Sequence, residues 1–100
     1  MRVILSTASG MEEAKKIARA LVEEGRAACV NIVPRIFSIY FWDGELQEDE
    51  EALLIIKAVE FEPVRQRILE LHSYEVPEIV ALEIKEADER YAEWMKGSDG

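Results

Sequence analysis

Residues 27–42 read AACVNIVPRIFSIYFW, residues 43–44 read DG, and residues 46–59 read LQEDEEALLIIKAV. An Asp-Gly pair between two apolar runs predicts a β-hairpin with a two-residue turn. At about 3.3 Å per residue, the first run alone would be about 50 Å long. A compact domain of this length has a radius of gyration of about 13 Å and a diameter of about 30–35 Å. We therefore predict that the tip of the hairpin extends beyond the body of the domain.

The predicted tip is rich in large apolar side chains, namely Phe37, Ile39, Tyr40, Phe41 and Trp42. An exposed apolar strand pair is an aggregation risk unless something covers it. The simplest cover is another copy of the chain, so the sequence predicts an obligate oligomer. Strand alternation places Tyr40 and Trp42 on one face and the other three on the opposite face. These aromatic residues form either the core of a subunit interface or the wall of a cleft that stacks on a small ligand.

The remaining patterns predict a complete α+β fold. In chain order they are a strand at 3–5, a helix from a Ser9–Glu12 capping box to Gly25, the hairpin, a helix with Pro63 in its first turn, a connector at 72–78, a strand at 79–84 and a short helix capped by Asp88. This β-α-β-β-α-β order is the ferredoxin-like plan, with an overlong central hairpin and an additional C-terminal helix. We expect one domain over residues 1–100, an edge, bulge or bend at Pro34, and a frayed tail at 97–100.

The composition excludes several classes of partner. The chain has 21 acidic and 12 basic residues and a net charge of −9, which disfavours nucleic acid and anionic membrane surfaces. Cys29 is the only cysteine, so no intrachain disulfide can form and a reducing compartment is expected. The N-terminal apolar run is too short for a signal peptide, and no stretch is long enough to span a membrane. We expect a cytoplasmic location.

The sequence gives little support for catalysis. Cys29 and His72 are the only thiol and the only imidazole, so a nucleophilic pair can be built from them in principle. Cys29, however, lies in an apolar strand pattern that is more typical of a buried structural cysteine. The chain has no glycine-rich phosphate loop, no HExxH motif and no nucleophile elbow. We expect no enzymatic activity and no organic cofactor.

Two polar positions are candidates for binding. His72 has Glu70, Glu75 and Glu78 nearby in sequence, and a symmetric oligomer would repeat each of these ligands around its axis. The alternative is an ordinary surface histidine among solvated carboxylates. Lys57 lies in an otherwise apolar strand pattern, where an ammonium group needs a partner or a path to water. It is either a cleft residue or an exposed edge residue.

Five segments together resemble the CutA family of divalent cation tolerance proteins. They are residues 27–31, residues 38–44, Lys57, residues 71–79, and Tyr91 with Trp94. The resemblance covers essentially the whole chain. It implies a homotrimer related in architecture to the PII signalling proteins, a cytoplasmic location, and a link to tolerance of copper and other divalent cations. It implies no enzymatic activity.

The resemblance also implies which residues form the site. His72 matches a metal-associated histidine, and copper or zinc is the expected ion. Ser6 stands where some members have a copper-linked cysteine, which weakens any copper(I) site. Ser73 replaces a proline that is typical of the family. The residues that match positions at the cleft between subunits are Cys29, Tyr40, Trp42, Lys57, Tyr74 and Glu78.

Three hypotheses about function result. The first is a non-enzymatic homotrimer, linked to divalent cation tolerance, that binds a metal ion or a small ligand at the clefts between subunits. The alternative is a PII-like regulatory trimer that binds a small metabolite, with metal binding incidental. An enzyme that uses the cleft around Lys57, Tyr74 and Glu78 ranks third.

Overall fold

The structure, a computed structural model, describes residues 1–98. Its elements are β1 (Arg2–Ala8), α1 (Met11–Glu23), β2 (Cys29–Trp42), β3 (Glu45–Ala58), α2 (Glu62–Leu71), β4 (Ile79–Glu83) and α3 (Glu89–Ser98). The order confirms the predicted ferredoxin-like α+β fold with its additional C-terminal helix. Gly97 and Ser98 belong to α3 and not to a frayed tail, whereas Asp99 and Gly100 lie outside the described residues.

One four-stranded antiparallel sheet, with strand order β2-β3-β1-β4, organises the domain. In β1 and β3, every second side chain points towards the helices, as the two-residue period of a strand requires. Ile4 and Ile56 are paired on this face and fully buried. The helices cover them with the apolar stripes of α1 and α2, represented by Ile17, Leu21, Val64 and Ile68. This layer is the hydrophobic core.

The start of α1 differs from the predicted capping box. The helix begins at Met11 after Gly10, and Glu12 is exposed. Glu13 is then the third helical residue, the position from which a carboxylate reaches back over the helix start. Its Oε1 accepts hydrogen bonds from the Ser9 backbone N–H at 2.9 Å and from the Ser9 hydroxyl at 3.0 Å. The predicted Ser9–Glu12 pair was therefore wrong by one residue. The end at Gly25 is confirmed by its φ of 69°.

The hairpin has the predicted two-residue turn. Asp43 (φ 54°) and Gly44 (φ 78°) form the turn, and Trp42 faces Glu45 across it. Both central residues have positive φ, as the right-handed twist of a two-residue hairpin favours. We expected an edge, a bulge or a bend at Pro34, and the strand pairing shifts as in a bulge between Val33 and Ile36, on a strand that is also at the edge of the sheet. The molecule measures 45 × 25 × 22 Å, so the hairpin gives it one long dimension.

Large apolar side chains are exposed at several places in residues 1–98 of the single chain, and two of these places are on the sheet. At the tip, Phe37 is 67% exposed and Phe41 is 74% exposed. On the sheet face opposite the helices, Val80 and Leu82 of β4 are also exposed. We call this surface, which also carries Val3 and Leu5 by strand alternation, the open sheet face. Among residues 1–98, no helix is long and apolar enough to span a membrane.

Candidate functional site

Two adjoining grooves lie between the outer half of the hairpin and the connector at 72–78. The outer groove, of about 460 Å³, lies between Tyr40 and Trp42 of β2, Asp49 of β3, and Tyr74 with Glu75 of the connector. The inner groove, of about 400 Å³, includes Glu51 and Glu78. Both grooves share Tyr40, Tyr74 and Val76 as their common wall. The structure thus brings four of the predicted site residues together: Tyr40, Trp42, Tyr74 and Glu78.

His72 fixes the start of the connector. Its imidazole is fully buried, and its Nε2 donates to the Thr7 carbonyl oxygen at 2.6 Å. Its Nδ1 accepts the Tyr74 backbone N–H at 3.0 Å. A carbonyl oxygen only accepts and a backbone N–H only donates, so these two partners define a neutral imidazole protonated at Nε2. The His72 and Tyr74 rings also lie 4.5 Å apart between centroids. His72 therefore positions Tyr74 in the groove wall.

Glu13 holds the same connector from α1. Its Oε2 accepts the Ser73 backbone N–H at 2.8 Å and lies 3.8 Å from Nδ1 of His72. Burial acts to raise the pKa of this carboxyl, but hydrogen bonds from Ser9 and Ser73 outweigh burial and lower the pKa to about 2. Glu13 is therefore ionised at neutral pH, and it links the β1–α1 turn to the connector.

Two tyrosine–carboxylate pairs line the grooves. The Tyr74 hydroxyl donates to Glu51 Oε2 at 2.7 Å, and the Tyr40 hydroxyl donates to Asp49 Oδ2 at 2.5 Å. Burial and then the hydrogen bond to Glu51 raise the pKa of Tyr74. The hydrogen bond to Asp49, followed by burial, raises the pKa of Tyr40. Both phenols therefore stay neutral and hold the carboxylates in fixed orientations.

Cys29 and Lys57, the other two predicted cleft residues, lie away from the grooves. They face each other across β2 and β3 at the base of the hairpin. The Lys57 ammonium donates to Asn31 Oδ1, and Cys29 Sγ lies 3.9 Å from the same oxygen. Lys57 was expected to have either a partner or a path to water, and Asn31 is its partner. Strand alternation places all three residues on the open sheet face.

A metal ion can bind His72 only by displacing a hydrogen-bond partner, because both ring nitrogens already have one. Within residues 1–98, no group of three or more His, Cys, Asp or Glu side chains is arranged to hold a metal ion. Ser6 is fully buried on the helix-facing side of β1. Its hydroxyl has no hydrogen-bond partner among these residues.

The sequence analysis missed Glu13, Asp49 and Glu51 as site residues. A signal existed for the last two, because the Asp43-Gly44 turn sets a register in which the acidic run 48–51 faces the aromatic half of β2. Glu13 gave no comparable signal, since its partner Ser73 is 60 residues away in the chain.

Comparison with known proteins identifies the family. A family model described as the CutA1 divalent ion tolerance protein matches residues 2–98. The chain belongs to the CutA family. The divalent-cation tolerance protein CutA of Thermus thermophilus is 49% identical over 100 residues, covering 98% of this chain and 97% of that protein. The solved Thermus structure has a TM-score of 0.96 at 48% identity, with both chains covered completely.

A plant protein is also similar to this chain. The chloroplastic CutA protein of Arabidopsis thaliana is 45% identical over 98 residues, which cover 96% of this chain and 54% of that protein. These matches confirm the resemblance to CutA and the ferredoxin-like fold. The family is named for divalent cation tolerance.

Proposed function

We propose that this CutA family member is a non-enzymatic homotrimer that serves divalent cation tolerance and binds a metal ion or small ligand at clefts between its subunits. The observation that carries the proposal is the position of the outer groove on an uncovered hairpin. Tyr40 and Trp42 line the groove, while Phe37, Ile39 and Phe41 on the opposite face of the same strand are exposed. A subunit packed on this tip would place the groove beside the subunit boundary.

The open sheet face supports the same assembly. Monomeric proteins rarely leave a large apolar patch in water, and Val80 with Leu82 adds a second such surface to the tip. Cys29 and Lys57 lie on this face, at the base of the hairpin. In the proposed trimer, these two residues join the cleft through a neighbouring subunit, whereas Tyr40, Trp42, Tyr74 and Glu78 already line grooves within one chain.

The charge of the grooves supports a cationic ligand. Asp49, Glu50 and Glu75 line the outer groove, and Glu51 and Glu78 line the inner one. No Lys or Arg lines either groove among the described residues. A nucleotide phosphate needs basic side chains or converging backbone N–H groups, so the grooves do not support a nucleotide as the small metabolite of the PII-like alternative.

Metal binding at His72 remains part of the proposal, with copper and zinc as the ions to test. A metal at Nδ1 must displace the Tyr74 N–H, and a metal at Nε2 must displace the Thr7 carbonyl. Binding at either nitrogen must therefore loosen the connector. We also propose a cytoplasmic location, on the basis of the single cysteine.

Light scattering tests the assembly. The chain has a mass of 11.4 kDa, and we expect a particle of three times that mass at micromolar concentration. A stable monomer would overturn the proposal. Subcellular fractionation tests the location, and recovery outside the cytosolic fraction would contradict it.

Calorimetry with copper and zinc tests the metal site on wild type and His72→Ala. If His72 is a ligand, the variant loses the heat of binding, and the wild-type protein shows faster amide exchange at Ser73 and Tyr74 when metal is added. Equal heats for the two proteins would remove His72 from the site. Gln66→Ala, which truncates an exposed neutral side chain on α2, is the control.

A further inference from the structure

The outer groove combines aromatic surface with fixed negative charge. Tyr40 is 42% exposed and Trp42 is 49% exposed, and both line the groove, so aromatic surface is accessible to a ligand there. Asp49 and Glu75 lie on the other walls. The face of an aromatic ring attracts a cation through its quadrupole, and a carboxylate attracts the same cation by charge and by hydrogen bonding.

The carboxylates are already oriented. Tyr40 holds Asp49 through one hydrogen bond at 2.5 Å, and Arg35 pairs with Glu50 at 2.6 Å. In the adjoining groove, Tyr74 holds Glu51, which is only 7% exposed. An ionised carboxylate has about four acceptor positions, so Asp49 keeps further lone pairs for a donor from a ligand. The orientation is therefore set before any ligand arrives.

The size of the groove indicates a molecule and not a bare ion. Pockets for small organic molecules usually measure about 300–1,000 Å³, and the outer groove measures about 460 Å³. A hydrated metal ion would make no use of the two exposed rings. An organic cation would use both features of the groove, its apolar part on the rings and its N–H donors on Asp49.

We propose that the outer groove binds an organic cation, with an ammonium or guanidinium group on Asp49 and its apolar part against Tyr40 and Trp42. This inference rests on the proposed function for the site and narrows the ligand to one chemical class. It also assigns distinct roles: Trp42 supplies affinity through its ring, and Asp49 supplies the preference for positive charge.

A matched pair of probes tests the charge preference. Benzylamine and benzyl alcohol have the same ring and differ in one charged group. The chain has two tryptophans, Trp42 and Trp94, so a Trp94→Phe background makes Trp42 the only tryptophan, and excitation beyond the absorption band of tyrosine makes it the reporter. We expect benzylamine to change Trp42 emission with at least about 10-fold higher affinity than benzyl alcohol, a difference of about 1.4 kcal/mol. Equal affinities, or no response to either probe, would overturn the inference.

Two variants test the assigned roles. Asp49→Asn should remove most of the preference for benzylamine over benzyl alcohol. Glu48→Gln removes the same charge from the opposite face of β3 and should leave the preference unchanged. If both variants lower the affinity equally, the effect is general attraction to an acidic protein and the inference is wrong. Trp42→Ala should weaken the binding of both probes, because aromatic surface should supply affinity. Calorimetry measures this loss.

The same samples separate this inference from the proposed function. The mass by light scattering and the heats with copper and zinc are measured alongside. A trimer that binds metal but shows no preference for benzylamine would refute the inference alone. A monomer that prefers benzylamine would support the inference and refute the proposed assembly.

Discussion

The base and the tip of the hairpin are made by the same two strands, but their surroundings differ. At the base, β3 pairs with both β1 and β2, and Ala52, Leu54 and Ile56 are buried under the helices. At the tip, β3 pairs with β2 alone, and residues such as Phe41 and Leu46 are exposed. The two strands therefore pair at both ends of the hairpin, but only the base is covered by helices of the same chain.

Two leucines on β3 give the largest expected contrast. Leu54 is fully buried, whereas Leu46, which lies on the same face of the strand, is 58% exposed. Leu54→Ala should lower the free energy of unfolding by about 2–5 kcal/mol, because it leaves a cavity in the core. Leu46→Ala should cost clearly less. Denaturant unfolding at one fixed protein concentration measures both, and equal losses would show that the tip is held as the base is.

The tip should control assembly more than folding. Phe41→Glu places a charge on the exposed apolar face of β2, where the proposed neighbour packs. We expect the trimer to dissociate at micromolar concentration, while far-ultraviolet circular dichroism keeps the signal of the folded domain. Gln66→Glu, an exposed change of the same charge on α2, is the control and should remain trimeric. A trimeric Phe41→Glu protein would place the interface elsewhere.

Glu13 links α1 to the connector at 72–78, and the stability that this contact contributes should be sensitive to acid. Since the pKa of Glu13 is lowered to about 2, its contribution to stability is complete above the ordinary value of 4.5 and is lost as the pH falls from 4.5 towards 2. Glu13→Gln should cost about 1–3 kcal/mol at pH 7 and should reduce the loss of stability over that acid range. Glu12→Gln, at the exposed neighbouring position, is the control. If the stability of the two variants depends on pH in the same way, Glu13 does not hold the connector as proposed.

The two tyrosine–carboxylate pairs give the smallest contrast. Tyr74→Phe leaves the buried Glu51 carboxylate without its donor, which should cost about 1–3 kcal/mol. Tyr40→Phe removes a hydrogen bond at the exposed tip and should cost less. Thermal unfolding of both variants measures the difference. A larger loss for Tyr40→Phe would show that the tip pair is the more buried one in the assembly.

Local patterns predicted the fold because its main signals are short in range. The Asp43-Gly44 turn fixed the register of the hairpin, Pro34 marked the bulge, and Asp88 capped α3 through the N–H groups of Arg90 and Tyr91. The predicted capping residue of the first helix was wrong by one position. Glu12 and Glu13 are both acidic, and only the start of the helix decides which of them caps it.

The candidate site was less predictable because long-range contacts build it. Tyr40 and Trp42 followed from strand alternation, but the fit of the connector depends on His72 reaching Thr7 and Glu13 reaching Ser73. Cys29 and Lys57 entered through the resemblance to CutA, and within one chain they lie at the base of the hairpin instead. The length of the hairpin predicts a neighbouring copy, but spacing within one chain does not say which residues of that copy meet Cys29 and Lys57.

Hydrogen exchange of the hairpin tests most directly the claim that a second copy covers the tip. In the wild-type protein, we predict that backbone amides of residues 36–51 exchange slowly, close to the rate of residues 52–58. In Phe41→Glu, the tip amides should exchange much faster while the base stays protected. Rapid exchange of the tip in the wild-type protein, with the base protected, would show that the tip is uncovered and would contradict the account.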